Sequence, residues 1–189
     1  MKIGPDANGL LTRGFGLPSG AGVDQMLRVM LDTNIFDRII EVPGLAGHLR
    51  SLTSSGRLDI VVTHVQEDEL ARIRDTEKRW AIQQVPRRSV PTAVFVLDVS
   101  RLGQARLGEG HEGGLEYDTL RGENPKRVRD AVIALTAAAE AEEVEVFVTE
   151  DDGLARRVRA KAKTLKVWNF PEFQLRVSSD EPSADRPEG

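Results

Sequence analysis

The chain contains no cysteine, so disulfides, thiolate zinc sites and a cysteine nucleophile are excluded. Its three histidines, His48, His64 and His111, have no metal-ligand spacing. Aromatic residues are few, 2 Trp, 1 Tyr and 6 Phe, which argues against a nucleic-acid surface built on stacked bases. No apolar run approaches the length of a membrane span. The first residues, M-K-I-G-P-D-A-N-G, have no apolar core of a secretory signal, and the expected compartment is the cytoplasm. Charge of one sign is also scarce outside one end. The net charge is -4, and Ser178–Gly189 holds Asp180, Glu181, Asp185 and Glu188 against Arg186 alone. Overall acidity therefore says little about a polyanionic partner. The stretch from Arg156 to Lys166 carries six basic residues and no acid, and its plain reading is a solvated helix face.

What is present is a chain of 189 residues, long enough for one domain with a real core. Residues 1–25 are Gly-rich without a period and read as an irregular extension. Short apolar runs at 27–31, 58–63, 144–149 and 165–168 read as strands, with 93–99 as a further strand or extended segment. Helical spacing follows them at 35–40, 45–55, 64 to about 80 or 84, and 153–163. Asn124-Pro125 is a helix start, with Val128, Val132, Leu135 and Ala139 on one stripe. Residues 100–123 form a long polar loop. Strand and helix alternate, which predicts an α/β fold with a mainly parallel sheet flanked by helices. The expected division is an extension at 1–25, a domain at 26–173 with an insert around 86–123, and an acidic, unstructured tail at 174–189.

In such sheets ligands bind beyond the carboxyl ends of the strands. Asp32 ends the first apolar run, and Asp151 follows V-E-V-F-V-T-E closely. Glu69 shares a helix face with Val65 and Ile73, where a carboxylate is costly unless paired or liganded, while Glu67 and Asp68 read as solvated. Asp130 lies in the first turns of the helix opened by Asn124-Pro125. Each acid alone has an ordinary explanation, as a cap, a turn residue or a partner of the helix dipole. Four at one predicted edge point to a shared acidic pocket. Gathered carboxylates repel one another, and a hard divalent cation removes that repulsion. Oxygen ligands alone suit Mg²⁺ or Mn²⁺ rather than Zn²⁺.

L-D-T-N at 31–34, V-T-H-V-Q-E-D-E-L at 62–70, R-D-A-V-I-A-L-T at 129–136 and F-V-T-E-D-D-G-L at 147–154 stand in an order that resembles the PIN-domain nucleases, VapC-like ribonucleases among them. The resemblance runs from about Met26 to Phe170. It implies a single three-layer domain, with Asp32, Glu69, Asp130 and Asp151 as catalytic metal ligands. Asp152 would be an extra acid, and Asn34 and Thr149 would be polar residues holding the cluster. It implies hydrolysis of RNA phosphodiester bonds with Mg²⁺ or Mn²⁺, a homodimer, and, for toxin members, an antitoxin protein partner. The family often has Asn where Glu150 stands. Arg101, Arg106, Lys126, Arg127, Arg129, Arg156 and Arg157 make a candidate phosphate-guiding rim.

Other readings fit less well. G-F-G-L-P-S-G at 14–20 precedes its strand and lacks a third glycine. G-Q-A-R-L-G-E at 103–109 has Glu where a P-loop needs Lys. A receiver-like domain would want a second acid beside Asp32 and a Lys after the last strand. A dehalogenase-type phosphatase would want Asp at Asn34. A non-catalytic metal-binding or RNA- or protein-binding module on the same fold is the alternative to a nuclease.

Overall fold

The computed structural model describes residues 26–94, 96, 100, 103–105, 128–139 and 144–179. Five strands form one sheet: β1 (Leu27–Leu31), β2 (Leu58–Thr63), β3 (Arg88–Val90), β4 (Val146–Val148) and β5 (Lys166–Trp168). The spatial order is β3-β2-β1-β4-β5, and every pairing is parallel. The helices are α1 (Thr33–Glu41), α2 (Leu45–Ser54), α3 (His64–Ala71), α4 (Thr76–Gln83), α5 (Val128–Ala139), α6 (Asp152–Lys161) and α7 (Phe170–Ser179). The α/β expectation therefore holds. No described helix is long and apolar enough to cross a membrane.

The strands alternate between two apolar cores, and this makes the layers. Val29 and Leu31 of β1 join Ile60, Val62, Val146 and Val148 in a core with Phe36, Leu49 and Phe173. Met30 joins Val61, Phe147 and Val167 in a second core with Val132, Leu135, Leu154 and Val158. Successive side chains of a strand point to opposite faces, so a strand covered on both faces reads as an unbroken apolar run. That is why 29–31 and 60–62 carry no alternation.

The structure departs from the expected elements in three places. The single helix expected from His64 to Trp80 or beyond is two. Arg72–Asp75 interrupts it, and the Asp75 carboxylate accepts the Lys78 N–H to start α4 afresh. A strand at 88–90 was hidden between Pro86 and Pro91, its three residues too few to show a period. Helix α7 runs past the expected boundary at 173, and its Val177 is buried. Its start has a reciprocal capping box that the sequence does carry. Asn169 Oδ1 accepts the Glu172 N–H, and Glu172 Oε2 accepts the Asn169 N–H. The helix start at Asn124-Pro125, the acidic tail from 180 and most of the 86–123 insert lie outside the described residues.

The chain steps outward from β1 through β2 to β3, then returns to the other side of β1 for β4 and β5. The strand order reverses between β1 and β4. The loops leaving those two strands diverge there and open a crevice, the usual ligand position in open parallel sheets.

Candidate metal centre

Asp32 follows the last residue of β1 and lies at that crevice. It is 7% exposed. It does two jobs at once. As the N-cap of α1, its Oδ1 accepts the Thr33 N–H at 2.8 Å. Its Oδ2 accepts the Thr149 hydroxyl at 2.7 Å. Burial pushes the Asp32 carboxyl up to about 6 from the ordinary 3.8. The two hydrogen bonds pull it back, and the nearby charges of Asp130 and Glu69 push it up further. An ordinary cap carries no such penalty, so the cap alone does not account for a buried carboxylate here.

Thr149 ties two acids together through one hydroxyl. It donates to Asp32 Oδ2 and accepts the Asp151 N–H at 3.1 Å. Asp151 is itself the N-cap of α6, and its Oδ1 accepts the Leu154 N–H at 2.8 Å. Replacing Thr149 by Val keeps the shape and removes both bonds inside the protein. We expect a loss of about 2 kcal/mol in urea unfolding at neutral pH. A loss below about 0.5 kcal/mol would show that solvent fills the gap.

Glu69 reaches the crevice from α3. Its Oε2 accepts the Thr33 hydroxyl at 2.7 Å, and its Oε1 accepts Arg129 Nη1 at 3.3 Å. Asp130, next to Arg129 in the first described turn of α5, is half-buried. The position of α3 follows from Gln66, one turn before Glu69. Its amide donates to the Leu31 carbonyl, the last of β1, and its Oε1 accepts the Thr63 N–H at 2.8 Å. Thr63 and Gln66 form a capping box, legible in T-H-V-Q. Gln66 therefore bolts the start of α3 to the end of β1, and Glu69 comes out beside Asp32.

Several residues behave differently from expectation. Thr33, not Asn34, provides the polar contact after Asp32, and Asn34 is exposed. Asp152 is exposed on the first turn of α6. Glu67 is held by Arg87 at 2.7 and 3.0 Å rather than simply solvated, and Arg87 also lies over the Phe36 ring. Glu150, where the family often has Asn, accepts the Phe170 N–H at 3.0 Å and so starts α7. Its side chain serves the fold. Arg101, Arg106, Lys126 and Arg127 lie outside the described residues.

Among the described residues, no three of His, Asp and Glu stand close enough to cage a metal ion directly. The electrostatic influence of Asp130 and Glu69 on Asp32 nonetheless makes these three one charged neighbourhood, and Asp151 is linked to Asp32 through Thr149. In chemical type these oxygen donors match Mg²⁺ or Mn²⁺ that keeps several of its waters.

No family model matches the chain, and no curated protein is similar enough to match it. Among solved structures, the VapBC2 complex of Rickettsia felis bound to a DNA fragment from its promoter is similar at 16% identity. The match covers 76% of this chain and 98% of that one, with a TM-score of 0.43. A likeness that slight carries no argument. The α/β assignment rests on the sheet itself.

Proposed function

We propose that the chain is a divalent-metal-dependent endoribonuclease, with Asp32, Glu69, Asp130 and Asp151 holding Mg²⁺ or Mn²⁺. The observation that carries the reading is the buried carboxylate of Asp32 at the β1–β4 crevice, raised to about 6 with two further acids beside it. A fold keeps such a cluster at a cost in stability, and a bound cation removes the cost. The bound ion would supply activation of water and neutralisation of charge on the phosphate. The protein's own parts do the rest. Thr33 and Thr149 fix the carboxylates of Glu69 and Asp32 by hydrogen bonds. Arg129 partly offsets the negative field at Glu69. RNA as the substrate, a homodimer and an antitoxin partner rest on the resemblance of the four motifs.

The wide spacing of the acids favours a second reading, a metal- or RNA-binding module without turnover. One experiment separates them. Purified protein is incubated with a mixed pool of structured RNAs and Mn²⁺, Mg²⁺ or EDTA, alongside Glu69→Gln and Asp130→Asn. The nuclease reading expects cleavage with metal, none with EDTA, and loss in both variants. Metal-dependent thermal stabilisation with no cleavage of any RNA would leave the binding module.

A further inference from the structure

The described arginines find hydrogen bonds or stand in solvent, with one exception. Arg28 and Arg88 bond Asp59, Arg87 bonds Glu67, and Arg159 bonds the Val167 carbonyl. The Nε and Nη2 of Arg157 are buried and have no partner. A buried donor left unmade is costly, and more so when it is charged.

Its position makes the omission informative. Arg157 lies one turn after Gly153 on α6, and helical side chains lean back toward the N-terminus. Its Nη1 comes within 3.3 Å of the place a Cβ on Gly153 would take, and Asp151 Oδ1 lies 3.0 Å from that same place. The missing side chain at 153 is what lets the guanidinium fold down beside Asp151. No salt bridge forms between them. Asp151 Oδ1 accepts the Leu154 N–H instead. A cation leaning over the first turn of a helix is also of the wrong sign for the helix dipole. Both features are unfavourable in the protein alone, and both turn favourable when an anion arrives.

We propose that Arg157 is a phosphate-binding fork of the acidic site, taking non-bridging oxygens of the RNA phosphodiester brought to the crevice. The guanidinium plane matches two such oxygens, and turning toward them breaks no existing hydrogen bond of Nε or Nη2. The identity of the anion as an RNA phosphate rests on the nuclease reading. The fork itself does not, and the test keeps the two apart.

The probe is inorganic phosphate, compared with chloride at equal ionic strength so that screening is matched. Thermal unfolding is followed for metal-free wild type, Arg157→Met, Arg157→Lys and the charge control Lys161→Ala. Phosphate is expected to raise the Tm of wild type and Lys161→Ala by a few degrees. Arg157→Met is expected to unfold above wild type in chloride, because it removes two buried donors that have no partner, and to ignore phosphate. Arg157→Lys keeps the charge but not the fork, and should keep less than half the response. An equal phosphate response in Arg157→Met, no response in wild type, or an Arg157→Met that melts below wild type in chloride would overturn the proposal.

A second arm uses single-turnover cleavage of RNA. Arg157→Lys should slow it about ten- to a hundredfold with an unchanged Mn²⁺ requirement. Unslowed cleavage also overturns the proposal. A phosphate response that needs Arg157, in a protein that cleaves no RNA, keeps the fork and removes the nuclease reading.

Discussion

Asp32→Asn is expected to lose metal-dependent RNA cleavage by about a thousandfold or more, yet to be more stable than wild type in metal-free buffer at pH 7. The two effects have one cause. The Asp32 carboxyl is raised to about 6 from 3.8, so holding it ionised at pH 7 costs about 3 kcal/mol. Asparagine removes the charge and keeps the hydrogen-bonding shape. Its oxygen can accept the Thr33 N–H, and its amide can donate to the Thr149 hydroxyl, which turns to accept. The cap of α1 survives, and the repulsion from Glu69 and Asp130 ends. A gain of about 2 kcal/mol in urea unfolding, together with lost cleavage, is the expected pair. Destabilisation by the same substitution would mean that the charge itself holds the crevice together, and the site would then be structural.

Acid is expected to stabilise the metal-free protein over a defined window. Asp32 has a folded pKa above its unfolded one, so the native state holds its proton to higher pH. Its contribution is fully present below about pH 3.8 and is lost as pH rises to about 6, beyond which it is flat. The loss amounts to about 3 kcal/mol across that range. Asp59 works in the opposite direction and in a different window. Burial opposes its ionisation, but the bonds from Arg88 and Arg28 prevail and hold its carboxyl below the usual 3.8. Its stabilisation is lost only as pH falls through that lower value. Guanidinium melts at a series of pH values should therefore show stability falling from pH 4 to 6 in wild type and flattened in Asp32→Asn. Saturating Mn²⁺ should flatten or invert the wild-type slope, because a liganded Asp32 is ionised throughout. A Mn²⁺-independent slope would separate Asp32 from any metal.

The sequence carried the sheet because both faces of it are covered. Runs such as V-M-L and I-V-V can be fully apolar only where helices lie above and below, and that reads directly as a parallel sheet. β3 and the break between α3 and α4 were not legible, since three strand residues and a single Asp cap leave no period to count. The candidate site is legible at Asp32 because a carboxylate ending an apolar run asks for a reason. The stripe that marks Glu69 in the sequence, shared with Val65 and Ile73, does not survive: α3 ends at Ala71, and Ile73 packs against the opposite core from Val65. Thr33 and Gln66 do not stand out in the sequence as parts of the site, although T-H-V-Q has the spacing of a capping box. Their roles depend on which strand end each helix start touches, and spacing within one segment cannot supply that. Arg157 was one basic residue among several. Only burial without a partner sets it apart.

The bond from Thr149 to Asp32 closes a span of 117 residues. During synthesis, β1, β2 and β3 can emerge and pair while β4 is still inside the ribosome. Such a chain already contains Asp32 and Glu69, but not the hydroxyl that orients one of them, nor the helix that presents Asp151. Long-range parallel pairing is slow to form. The bond that orients Asp32 therefore exists only once β4 is in place, and a translation product interrupted before β4 cannot make it. The candidate site thus depends on the second half of the sheet, though half of its carboxylates are supplied by the first.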